Sequence, residues 1–266
     1  MTRTCDLIST LTILLLTAGG ALSAQTPAAP QPSAGSNAVE HTAPAPPKPP
    51  PAFYRNLIVL DPAHGGPDSG AQLSSSAAEK DVTLSFAQKL RPALAAQGFT
   101  VMSTRDSDPS DELTTDVRAG IANHVRPLAC VILHATAAGS GIHIVTSTLT
   151  EPDSKSVSHA PRWNEAQETA IGMSIKLANE IGLSLQENHI PVLLLRSSVP
   201  PIDNLICPAV AVEVAPMQST GKATPASDSA YQQRIATSVS AGIASFRTHN
   251  APAPASVPAA RAGASQ

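Results

Sequence analysis

Asn56-Leu57-Ile58-Val59-Leu60 runs straight into Asp61-Pro62-Ala63-His64-Gly65-Gly66, and this junction constrains the fold more than any other stretch. Four aliphatic residues in a row suit a strand buried on both faces, whereas Pro62 and the glycine pair cannot continue it. His64 therefore stands at the C-terminal end of a strand. In an open α/β sheet the loops leaving that edge converge, so ligands and metals collect there.

Downstream, strand-like and helix-like stretches alternate. Val82, Phe86, Leu90 and Leu94 recur every four residues on a helix starting near Glu79, which Pro92 is expected to kink. Phe99–Thr104 reads as a second strand. A helix carrying Leu113, Val117 and Ile121 follows, and Leu128–Leu133 is a third strand that also ends at a histidine, His134. Gly141–Ser147 is a fourth strand. The longest helix is expected over Trp163–Gln186, on Ile171, Ile175 or Met173, Ala178, Ile181 and Leu185, with Trp163 packing against it. Val192–Leu195 and Ala209–Val214 complete six strands, and Tyr231, Ile235, Val239, Ile243 and Phe246 mark a last helix. The alternation predicts a single α/β domain with a mostly parallel, mixed six-stranded sheet and helices on both faces.

The ends of the chain do not share this pattern. Many of the 25 prolines concentrate there, too many for one core. Met1–Gln25 reads as an export signal, with Arg3, an apolar Leu7–Leu16 and small residues before Ala24, so cleavage after residue 23 and a periplasmic or secreted location are expected; an uncleaved membrane anchor is the alternative. Residues 24–51 read as a disordered Ala- and Pro-rich linker, 52–249 as the folded domain and 250–266 as a disordered tail. A net charge of -3 gives no basic stripe for nucleic acid or acidic lipid, and 3% aromatic residues argue against a carbohydrate module built on stacking rings.

Polar residues at the ends of elements form the candidate site: His64, His134, Glu213 at the end of the sixth strand, and Glu79 opening the first helix. Two imidazoles and a carboxylate are a common catalytic zinc set with a fourth position open to water, and a second carboxylate could act as base. Gly65 and Gly66 permit a tight turn beside His64, which Asp61 could orient.

Val59-Leu60-Asp61-Pro62-Ala63-His64-Gly65-Gly66, Asp68-Ser69-Gly70-Ala71, Glu79-Lys80-Asp81-Val82, Thr104-Arg105-Asp106, Ile132-Leu133-His134-Ala135 and Pro208–Val214 follow in order. Together they resemble the zinc-dependent N-acetylmuramoyl-L-alanine amidases of type 3. The resemblance implies that His64, Glu79 and His134 bind Zn2+ and that Glu213 is the catalytic carboxylate. The implied substrate is peptidoglycan or its muropeptides, cleaved between N-acetylmuramic acid and the L-alanine of the stem peptide, with room for a protein activator. Ala63 stands where the family usually has glycine, which requires a negative φ there. Thr136 replaces a common asparagine, and Ala215–Ser219 replaces a glycine-aromatic sequence. No long insertion corresponds to the blocking helix of regulated members, so no plug is expected.

Other readings stand beside these. His64 could cap a loop, His134 could be a satisfied core histidine, and Glu79 could answer only to the helix dipole. His143 reads as a strand-surface histidine before a groove residue, and Arg105 and Asp106 as a structural turn. Cys130 and Cys207 read as buried free thiols, with a disulfide if their strands approach closely enough. A non-catalytic wall-binding relative is the alternative function; a different zinc peptidase fits less well, lacking the close His-Glu-x-x-His spacing. Oligomeric state leaves no signal.

Overall fold

The apolar run before His64 folds as β1 (Tyr54–Pro62), whose last five residues are buried. The computed structural model describes residues 53–152, 161–218 and 220–251; the expected signal and linker, and nearly all of the expected tail, lie outside them. A small hairpin, β2 (Gln72–Ser74) and β3 (Ala77–Ala78), leads into α1 (Glu79–Ala96). Then come β4 (Thr100–Ser103), α2 (Thr115–Val125), β5 (Pro127–Ala135) and β6 (Ile142–Thr146). A 3-10 segment (Trp163–Ala170) joins α3 (Ile171–Glu187), followed by β7 (Val192–Arg196), β8 (Ala209–Val214) and α4 (Ser229–His249).

Six strands form one mixed sheet in the order β4-β1-β5-β8-β6-β7. β4, β1, β5 and β8 run parallel, β6 pairs antiparallel with β8, and β7 parallel with β6. The last strand in sequence thus fills a central slot, between β5 and β6. Strand alternation sorts side chains between two cores. Leu60, Leu133, Val212 and Ile144 face α1, α3 and α4 in the larger core; Val59, Ile132, Ala211 and Val145 face α2 and a turn at 202–205 in the smaller. Helices do cover both faces, but three lie on one side and α2 on the other. The thinly covered face leaves room for a site.

Several elements differ from the sequence reading. Residues 163–170 are 3-10 rather than α-helix, and the buried Gln167 side chain within them donates to the carbonyls of Leu205 and Cys207. That shortens α3, so α4 with 21 residues is the longest helix. Trp163 is 48% exposed, its indole N–H donating to Asp116 instead of packing on a helix. On α3 the buried stripe passes through Ser174 and Leu177 and leaves Ile175 exposed. On α2 it is Arg118, Ala119 and Ala122 that turn inward, Val117 being exposed and Leu113 preceding the helix. The expected free thiols are a disulfide: Cys130 on β5 and Cys207 leading into β8 have Cα atoms 6.1 Å apart. Adjacent parallel strands put them within bridging reach, which a separation of 77 positions in the sequence hid.

Candidate active site

Two residues after β1 the chain passes through a left-handed residue. Ala63 keeps a φ outside the positive region, and the turn falls one residue later, at His64 with φ 64°. A side chain there is strained unless its surroundings hold it. Two buried arginines do so. Arg118 of α2 donates to the His64 carbonyl at 2.7 Å and the Pro62 carbonyl at 3.0 Å. Arg105 donates to the carbonyls of Pro62, Ala63 and Lys80. Arg105 is thus structural, as expected.

Asp61 does not orient His64. Its Oδ1 accepts from Arg118 at 2.6 Å and from Thr104 at 2.5 Å, anchoring the clamp instead. The residue on His64 is Asp68, whose Oδ2 lies 2.8 Å from Nδ1. Its sequence signal was an acid four residues after the histidine within the quoted motif. Gly70 is required beside them: a Cβ there would stand 2.6 Å from His64 Cδ2, at φ 64°.

Glu79 arrives from the opposite side. The β2-β3 hairpin folds back so that its N–H donates to the Ala71 carbonyl. Its carboxylate then bridges the two histidines: Oε2 is 3.1 Å from His64 Nε2, and Oε1 is 2.8 Å from His134 Nδ1 at the end of β5. The backbone N–H groups of Ala71 and Ala135 donate to the same carboxylate. Burial by itself would raise the Glu79 pKa; the hydrogen bonds from His134, His64 and the two amides outweigh it and hold the carboxyl well below the usual range. His64 is shifted upward, chiefly by its hydrogen bond to Glu79, with burial opposing and Asp68 assisting.

His64, Glu79 and His134 therefore come together from three separate elements. One nitrogen or oxygen donor from each lies within 4.8 Å of the others. A tetrahedral zinc at about 2.0–2.2 Å from its ligands holds them about 3.4 Å apart, so this nitrogen, nitrogen and oxygen set fits such an ion. His134 Nε2 is buried with no partner among the described residues. Asp61, His64, Asp68, Arg118 and His134 line a cavity of about 240 Å³. A larger cavity of about 650 Å³ lies at the other edge of the sheet, around Phe53, Arg126 and Pro208, with none of these groups.

Glu213 lies beside this cluster. It is the register partner of His134 across β5 and β8, so both side chains project from the same face. Its hydrogen bond goes to His143, with Oε2 2.6 Å from Nδ1. His143, read from the sequence as a strand-surface residue, is thus part of the site. The two positions are 70 residues apart, and only the insertion of β8 beside β6 joins them.

Comparison with known proteins identifies the family and the fold. The family model for N-acetylmuramoyl-L-alanine amidase, type 3, matches residues 58–245. A germination-specific N-acetylmuramoyl-L-alanine amidase of Bacillus subtilis is 30% identical over 206 residues, 74% of this chain and 82% of that one. Among solved structures, the catalytic domain of an N-acetylmuramoyl-L-alanine amidase from Paenibacillus polymyxa aligns with a TM-score of 0.53 and 22% identity, covering 72% of this chain and 97% of that one. An amidase from Mycobacterium smegmatis aligns with a TM-score of 0.55 and 20% identity, covering 75% and 100%. These two share its fold. With the family model spanning both histidines, both glutamates and nearly every element of the sheet, the chain belongs to the type 3 N-acetylmuramoyl-L-alanine amidases, a family of peptidoglycan hydrolases.

Proposed function

We propose that the chain is a zinc-dependent hydrolase of the amide bond between the lactyl group of N-acetylmuramic acid and the L-alanine of the peptidoglycan stem peptide. His64, Glu79 and His134 would hold the ion. The observation that carries the reading is the register of β5 and β8, which stands Glu213 next to His134 on the open face of the sheet. When bound, zinc supplies an acidified water and polarises the amide carbonyl.

The side chains do the rest. Glu213 has Oε2 engaged by His143, while Oε1 has no hydrogen-bond partner among the described residues. That oxygen takes a proton from the attacking water and returns it to the nitrogen of the departing L-alanine as the C–N bond breaks. Asp68 and the two arginines keep the His64 ring at its angle. The Cys130–Cys207 disulfide supports an oxidising compartment, and with the export-type N-terminus it favours a periplasmic or secreted enzyme.

The test joins metal content to product. The purified chain should carry about one zinc, and peptidoglycan digested with it should yield free L-alanine amino groups and intact N-acetylmuramic acid by mass spectrometry. Glu213→Gln should keep the zinc and lose hydrolysis. Zinc without new termini in the parent chain would favour a wall-binding role, and absence of zinc would overturn the site.

A further inference from the structure

We infer that His143 is the positioning residue of the catalytic carboxylate: it ties one oxygen of Glu213 in place so that the other meets the substrate water. The inference rests on the reading of Glu213 as proton carrier. His134, Glu213 and His143 occupy matched register positions on three neighbouring strands, β5, β8 and β6. Strands lie about 4.8 Å apart, and matched positions project to one face, so the three side chains stand in a row. The outer histidine has no part in the His64, Glu79 and His134 cluster. Its contact is the carboxylate.

Two further features make this contact directional. His143 is 16% exposed in its side chain and Glu213 34%, so the pair is half sheltered while the acid still reaches solvent. The far edge of the imidazole lies against Gly139, in the loop after β5. A Cβ at Gly139, which has φ 80°, would stand 2.8 Å from His143 Cε1 and 3.1 Å from Nε2. With the loop behind and the carboxylate in front, the ring has one orientation, and Nδ1–H donates to Oε2. An untied glutamate at a strand end rotates about its terminal torsions. Tying Oε2 leaves Oε1 at one place, and a misplacement of about 1 Å in such a group costs on the order of 100-fold in rate.

The experiment compares His143→Ala and His143→Asn in the full chain. The asparagine amide can present an N–H close to where Nδ1 stands, without an imidazole. Expected for His143→Ala is a kcat lowered roughly 10- to 100-fold with KM and zinc content unchanged, and for His143→Asn recovery of most of that loss. A second readout needs no activity. In metal-free protein the His143 Nδ1–H resonance should be protected from exchange in the parent chain and lose that protection in Glu213→Ala. A His143→Ala variant with unchanged kcat, an asparagine variant as slow as the alanine one, or a loss confined to KM or zinc would each overturn the positioning role. An inactive parent chain would instead overturn the amidase reading of Glu213.

Discussion

At the scale of single residues, the site depends on groups that hold its imidazoles in place. Asp68 holds His64 Nδ1, and such a partner sets the orientation and basicity of a metal-binding imidazole. Asp68→Ala should weaken zinc binding roughly 10- to 100-fold, read by competition with a chromophoric chelator, while the circular dichroism spectrum stays unchanged. Equal affinity would show that the contact is incidental. Gly70→Ala should do more harm, because the added methyl meets the His64 ring and Glu79 Cβ while φ stays positive. His64, Glu79, His134 and Glu213 were all legible in the sequence, since each ends or opens an element that its neighbours define. Asp68 carried a local signal four residues after His64, whereas Arg118 and His143 carried none. Their roles depend on which strand or helix folds against them, and no local pattern carries that.

At the scale of elements, packing separates glycines that sequence alone would treat alike. Gly242 of α4 lies where a Cβ would stand 2.5 Å from Ile181 Cα and 2.8 Å from the Glu180 carbonyl, so α3 and α4 cross on bare backbone. Gly242→Ala should cost about 1–3 kcal/mol or more in denaturant unfolding. Gly120, in α2, meets nothing within 4 Å. Gly120→Ala should therefore gain about 0.5–1 kcal/mol from helix propensity and lost chain entropy. If both changes moved stability the same way, the crossing would not be as tight as drawn. The disulfide acts between elements too. Replacing Cys130 and Cys207 together by alanine should lower stability by about 2–4 kcal/mol, since a loop of this length is released in the unfolded chain.

At the scale of the whole molecule, stability has an alkaline limit. Tyr231 of α4 is buried, and its hydroxyl donates to the Ala215 carbonyl just beyond β8. Burial pushes its pKa up to about 12 from the ordinary 10.0. The folded state thus holds the phenol proton more tightly than the unfolded state. Its contribution is complete below pH 10 and is lost as pH rises towards 12, amounting to about 2–3 kcal/mol. Tyr231→Phe should flatten that part of the curve of unfolding free energy against pH; an unchanged slope would assign the alkaline loss to other groups.

The sequence by itself determined the class of fold, six strands, the buried faces of α1 and α4, and the four polar residues at the ends of elements. Apolar periodicity and chain-breaking residues act over a few positions, so they can be read along the chain. Strand order was decided only in three dimensions. Placing β8 between β5 and β6 buries five of its six residues. That one choice aligns His134, Glu213 and His143 and closes the Cys130–Cys207 bridge. It depends on contacts between residues far apart in the chain, which no local pattern encodes.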